Sequence, residues 1–363
     1  MRDGFGYEYQ TPVQACAFGP IAAGKDVIVR RTGAGKTLSF LLPAVERLLG
    51  LGPGRGGIRL LAVSPVRELS MQIFAEAERL LSFYPGMRAV CMVGGLDWKE
   101  DKEALDAAGA ASVLLVATPG RLQTHIGKTE GFAASLAEVQ ILVLDEVDYL
   151  TSEIFRPATE GIVSALPAAV SRQSLFFSAT ISDEVTELMK RTGSAEYEYI
   201  DMLKGCDAVV PSLIEQTYCV VATEDMTRML CRAIEEARRR EAASAKLVAI
   251  FMTGRIAAYY AEAFRKSGSE LAVFEIHAQI KKQETRTEAS NQFRDAVSGI
   301  LFTSDVSSRG LDYPGVTDVI QMGAGRPIHG PSTSTASAAR AVAGKPAGES
   351  CSSTSSSGRS WSP

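Results

Sequence analysis

VIVRRTGAGKT, residues 27–37, runs branched apolar residues into two arginines, a glycine-rich turn and a Lys–Thr pair. The pattern reads as a buried strand, a tight turn and a helix start. In such a turn the backbone N–H groups of Thr32, Gly33, Ala34 and Gly35 converge on a hollow that favours phosphate oxygens. Lys36 is placed to reach the β and γ phosphates of ATP, and the Thr37 hydroxyl to hold Mg²⁺. The bland alternative is a strand–turn–helix with no ligand. Arg30 stands where the full pattern wants Gly or Ala. Arg30 and Arg31 either strengthen phosphate attraction, or Arg30 crowds the closing loop.

ILVLDEVDYL (141–150) supplies the other half of that reading. Four apolar residues lead into Asp145 and Glu146, which in an open parallel sheet stand at the carboxyl edge beside the glycine-rich turn. Asp145 is expected to bind Mg²⁺ through water, and Glu146 to orient or deprotonate an attacking water. Alone, the stretch would pass for a strand before an acidic helix start.

Outward from these two stretches the chain alternates strands and helices. DVIVR (26–30), RLLAV (59–63), SVLLVA (112–117), ILVL (141–144) and SLFF (174–177) are short apolar runs of the kind a parallel sheet buries on both faces. Leu69, Ile73, Ala77 and Leu80 recur at helical spacing within 67–81. A second series has strands at 215–221, 247–251, 271–276, 299–303 and 317–322, with helices at 225–239, 254–266 and 281–294. The expectation is an α/β chain with two tandem doubly wound parallel-sheet domains. The first covers 1–202, a linker 203–213, an incomplete second domain 214–324, and a disordered tail 325–363.

The chain has 363 residues, 46% apolar and 22% charged, and a formal charge of −4, which excludes a broadly basic surface. A grip on nucleic acid must therefore be local. Six cysteines show no C-x-x-C pair, which argues against a zinc site or disulfide framework and for reduced thiols in an intracellular compartment. Mitochondrion, nucleus and cytoplasm stay open. No run of 18 apolar residues exists, so no transmembrane helix is expected. No signal or transit peptide is read, and the chain opens on motif-like sequence at Gly6.

From about Gly6 to Met322 the chain resembles the DEAD-box RNA helicases, in wording closest to their organellar splicing-cofactor branch. GYEYQTPVQ (6–14) resembles the family's adenine-reading motif, TGAGKT its P-loop, and DEVD (145–148) the D-E-A-D string with Val147 for Ala. SPVREL (64–69), GG (94–95) and TPGR (118–121) resemble three RNA-contacting motifs. SAT (178–180) resembles the motif that couples ATP state to RNA. QETR (283–286) and TSDVSSRGLD (303–312) resemble second-domain motifs.

The resemblance implies two RecA-like domains, ATP and Mg²⁺ as cofactors, and RNA held by its backbone with little sequence specificity in a monomer. It implies that Tyr7 stacks on adenine, Gln14 bonds its edge and Asp312 lies nearest the nucleotide. It places Arg67, Gly95, Thr118, Pro119, Arg121, Arg286 and Thr303 on RNA. Ser178, Thr180 and Asp148 become coupling residues. Closing and resetting of such a clamp would pry short duplexes apart. A non-catalytic ATP-gated RNA-binding module and a DNA-directed motor are the alternatives. Outside the motifs, His125 is expected to face solvent, Trp98 to pack, and His277 to end a strand.

From Pro331 onward 11 of 33 residues are Ser and none is Leu, Ile, Phe or Met, so no core can form there. The family would continue as Q-Y-I-H-R-L-G-R-T-G-R, whose last two arginines reach ATP. No R-x-G-R string exists in this chain. Reverse translation of residues 332–342, shifted by one base, permits Y-I-H-R-L-G-R-T-G-R. The expectation is a frame slip between about Gly323 and Ser332, with the arginine finger lost and hydrolysis impaired. A low-complexity tail is the alternative.

Overall fold

The computed structural model describes residues 8–31, 35–52, 56–95, 97–194, 196–203, 214–304, 313–323 and 336–343. The chain divides into two compact units, Met1–Val209 and Val210–Pro363.

In the first unit the strands are β1 Asp26–Arg30, β2 Gly57–Val63, β3 Met87–Met92, β4 Ser112–Ala117, β5 Ile141–Asp145, β6 Gln173–Ser178 and β7 Tyr197–Asp201. They form one sheet in the order β3-β4-β2-β5-β6-β1-β7, and every pairing is parallel. The helices are α1 Pro12–Ala22, α2 Lys36–Gly50, α3 Arg67–Leu81, α4 Trp98–Ala107, α5 Pro119–Lys128, α6 Phe132–Ser135, α7 Val147–Leu150, α8 Arg156–Ser164 and α9 Asp183–Thr192.

Because successive strand residues face opposite sides, the apolar runs feed two cores. Val27, Val29, Val143 and Phe177 pack with α1, α2 and α3 on one face. Ile28, Leu142, Leu144 and Phe176 pack on the other with residues of α5 through α9. The expected helix at 67–81 and strands at 26–30 and 112–117 fall where expected. The pattern missed β3 and β7, the two sheet edges. Their one-sided burial permits MRAVCM and YEYID in place of a continuous apolar run.

The second unit contains β8 Ile214–Val221, β9 Lys246–Phe251, β10 Val273–Ile276, β11 Gly299–Ser304, β12 Asp318–Met322 and β13 Ala336–Ala343, with α10 Met226–Glu241, α11 Gly254–Lys266 and α12 Gln283–Asp295. Its sheet runs β10-β11-β9-β12-β13-β8. The first four strands are parallel, whereas β13 is antiparallel to both β12 and β8. Leu230, Ile234, Ala257 and Ala261 cover one face, and Phe293 of α12 packs on the other with Ile276 and Leu301.

The strand β13 lies inside the stretch read as a tail. Ladder pairing is made by main-chain groups, so any extended segment can satisfy the open ladders of β12 and β8. The rest of that tail lies outside the described residues.

Candidate functional site

Apart from GYEYQTPVQ, which comes before β1, every first-unit motif sits where a strand ends or just after it. The sheet's carboxyl edge is divided: the turns after β3, β4 and β2 carry GG, TPGR and SPVREL, while β5, β6 and β1 lead into DEVD, SAT and the glycine-rich turn. This is where open α/β sheets bind ligands.

Gly35 precedes α2 with φ +87, and a Cβ there would lie 3.0 Å from the Thr11 Oγ1. Both the left-handed backbone and the approach of α1 therefore demand glycine. Thr11 caps α1, its N–H donating to Gln14 Oε1 at 2.9 Å, while Gln14 Nε2 donates to the Gly35 carbonyl at 3.4 Å. Gln14, buried, thus ties α1 to the phosphate loop.

Lys36 Nζ is in contact with Glu146 Oε1. Desolvation lowers the Lys36 pKa, but Asp145, Glu146 and Asp148 outweigh it and hold the ammonium above its ordinary value. Asp145, the last residue of β5, is buried and accepts the Glu146 N–H at 3.0 Å. Burial, with Glu146 and Asp148 beside it, pushes its pKa up to about 6 against the pull of Lys36. Glu146 has φ 52 and ψ 54, the single non-glycine positive φ among the described residues. That conformation costs about 1–2 kcal/mol, and such strain concentrates at functional sites.

A closed ring follows. The Asp148 N–H donates to Ser178 Oγ (3.2 Å), Ser178 Oγ to the Thr180 carbonyl (2.7 Å), and Thr180 Oγ1 to Asp148 Oδ2 (3.1 Å). The Arg31 N–H donates to the Ser178 carbonyl at 2.9 Å, so SAT is fastened to both halves of the nucleotide site. Arg30 is engaged at the sheet edge. Its guanidinium pairs with Asp201 of β7 at 3.2 Å, and Asp201 also accepts the Leu203 N–H at 2.9 Å. The pattern could not find Asp201, since nothing in YEYID signals a partner for β1.

On the other half of the edge, the Arg67 guanidinium lies over Gly94, where a Cβ would come within 2.9 Å of it. Gly95 has φ +95. Thr118 and Pro119, both buried, open α5, with the Thr118 N–H on the Met92 carbonyl at 3.1 Å. Arg121 Nε donates to Asp101 Oδ2 at 2.5 Å.

His125 does not face solvent: it is fully buried between Asp101 Oδ2 and Thr129 Oγ1, each at 2.9 Å, because α5 turns that side onto α4. Trp98 is 46% exposed on the first turn of α4, not packed. His277 follows β10 as expected and is buried, with Nε2 3.0 Å from Glu275 Oε2.

In the second unit Arg286, on the first turn of α12, and Thr303, next to last in β11, are buried. Tyr7, Thr32, Gly33, Ala34 and Asp312 lie outside the described residues. Among the described residues no helix is long and apolar enough to cross a membrane.

A family model described as DEAD/DEAH box helicase matches residues 11–188, and one described as helicase conserved C-terminal domain matches residues 225–341. DEAD-box ATP-dependent RNA helicase 26 of Oryza sativa subsp. japonica is 37% identical over 319 residues, which is 88% of this chain and 58% of that protein. This chain therefore spans less than two thirds of that relative's length. Among solved structures, DEAD-box helicase Mss116 bound to ssRNA and UDP-BeF superposes with a TM-score of 0.79 at 26% identity, over 88% of this chain and 65% of that one. Mss116p bound to ssRNA and AMP-PNP gives 0.78 at 25%, over 88% and 65%.

Proposed function

This chain belongs to the DEAD-box family of ATP-dependent RNA helicases, and from that premise we propose that it binds ATP at the β5–β6–β1 half of the edge and single-stranded RNA at the other half. One observation carries the reading: Gln14, Lys36, Asp145 and Glu146 lie at one sheet end, and the Asp148–Ser178–Thr180 ring stands at the same end. Lys36 would neutralise phosphate charge, and Glu146 would orient the attacking water once its contact with Lys36 is given up. The Asp145 carboxylate and Thr37 hydroxyl are hard oxygen donors of the type Mg²⁺ takes. The buried Asp145, raised to about 6, fits a nearby cation. Bound there, Mg²⁺ would offset charge on the β and γ phosphates.

On the RNA side, Arg67, Gly95, Thr118, Pro119 and Arg121 cluster after β2, β3 and β4, and would meet phosphate and sugar without reading sequence. Arg286, Thr303 and Asp312 are assigned their RNA and nucleotide roles by resemblance alone. The whole-chain action proposed is an ATP-driven clamp on RNA that opens short duplexes.

Because no R-x-G-R string exists in the chain, hydrolysis is expected well below that of an enzyme with an arginine finger, a feature worth about 10³–10⁵ in rate. That favours, as a second reading, RNA binding gated by ATP without turnover. The deciding experiment measures phosphate release and single-stranded RNA binding side by side, with ATP and with AMP-PNP. RNA binding that needs nucleotide, with little turnover, supports the gated clamp. Family-like RNA-stimulated turnover would overturn the impairment. RNA binding indifferent to nucleotide would overturn the site reading.

A further inference from the structure

Asp101, Arg121 and His125 form a largely buried trio between α4 and α5. Asp101, 3% exposed, accepts on one oxygen, Oδ2, both Arg121 Nε at 2.5 Å and His125 Nε2 at 2.9 Å. Arg121 and His125 stand four residues apart, so both reach the same side of α5. His125 is held from behind by Thr129 Oγ1 at 2.9 Å and by the Phe132 ring at 5.2 Å between centroids. Asp101 sits one turn into α4, which begins just after the Gly94–Gly95 turn and is capped by Asp97 on the Lys99 N–H at 3.0 Å. One carboxylate therefore ties the segment after β3 to the segment after β4.

Stability alone accounts poorly for such a trio, because desolvation offsets most of the attraction in a buried ion pair. Direction accounts for it better. A guanidinium bound through Nε has its plane fixed, and a fixed plane is what phosphate recognition needs. The surroundings are built for a ligand as well. The Thr118 side chain leaves the first turn of α5 uncapped, and a Cβ on Gly120 would meet nothing within 4 Å. That turn leaves Gly120 facing open space next to Arg121 in sequence.

We propose that Asp101 is a positioning residue for RNA binding: it aims the Arg121 guanidinium at a phosphate lying against the first turn of α5, and His125 holds Asp101 in place. The proposal rests on the RNA-binding reading above.

The test measures affinity for a fluorescent single-stranded RNA with AMP-PNP and Mg²⁺ for the full chain and for Asp101→Asn, Arg121→Gln and their double variant. Nucleotide affinity and thermal midpoint are recorded for each. We expect each single variant to bind RNA about 10- to 100-fold more weakly, the size of one charge-assisted contact. Nucleotide affinity should stay unchanged, and the double variant should be no weaker than Arg121→Gln alone. A purely structural Asp101 would instead lower nucleotide affinity along with RNA affinity, and such a joint loss, a double variant clearly weaker than Arg121→Gln, or RNA binding by Asp101→Asn equal to that of the unaltered chain, overturns the proposal. Should Asp101→Asn not fold, Asp101→Glu keeps the buried charge and displaces it by one methylene. It should weaken RNA binding, and unchanged binding overturns the proposal equally. If the unaltered chain binds no RNA, the functional reading itself falls, which is a distinct result.

Discussion

At the scale of single residues, Asp145 shows chemistry and stability pulling apart. Its pKa rises from 3.8 to about 6 on folding, first through burial. The folded chain then holds this proton more tightly than the unfolded chain. Its contribution to stability is therefore greatest below about pH 4 and falls as pH rises through about 6. We expect Asp145→Asn, measured in chelator, to raise the melting midpoint at pH 7.5 but not at pH 4, with a gain of up to about 3 kcal/mol. The same variant should abolish Mg²⁺-dependent turnover. Glu146→Gln, by contrast, should keep nucleotide binding and cut any residual hydrolysis by about 10²-fold or more, as loss of a positioned base does. Pre-steady-state phosphate release checks it. Asp145, Glu146 and Lys36 were legible because the strings around them have a fixed order. Asp101 and Asp201 were not, since a carboxylate's partner across 20 or 171 residues leaves no trace in spacing.

Elements explain which segments could be read. Central strands such as ILVLD are buried on both sides and announce themselves, whereas β3 and β7 carry Arg88 and Glu198 between apolar residues and pass for loops. His125 was misread for a related reason: the polar neighbours of TPGRLQTHIGK suggest a wet helix, and only the docking of α4 shows that this side is dry. The turns are as constrained as the strands. Gly94→Ala would set a Cβ 2.9 Å from Arg67 Nη2, and the guanidinium must move aside. RNA affinity should drop by about 5- to 20-fold, on the order of a lost surface ion contact or slightly more, while ATP-analogue affinity holds. Titration of both ligands against the variant separates these. Arg30→Ala removes a partly exposed pair between β1 and β7 and should cost about 1 kcal/mol, seen as a small fall in the urea midpoint.

For the whole molecule, the division at Val209 and Val210 leaves each unit with its own sheet and cores. Calorimetry should resolve two transitions, and AMP-PNP with Mg²⁺ should raise mainly the one belonging to the first unit, by about 3 kcal/mol at 100 times Kd. A single transition shifted as a block would refute independent units. The alternation of strands and helices made both α/β units legible. The place of β13 was not, because main-chain pairing can recruit a segment whose side chains advertise nothing. The pairing of Arg30 with Asp201 has a mechanical meaning. Tension applied to the chain at Leu203 loads the Asp201 carboxylate through the Leu203 N–H, and Arg30 passes that load into β1, one residue before the phosphate loop. Parallel neighbours such as β1 and β7 resist this pull in shear, all rungs at once. A tug at the exit of the first unit is thus shared between β7 and β1.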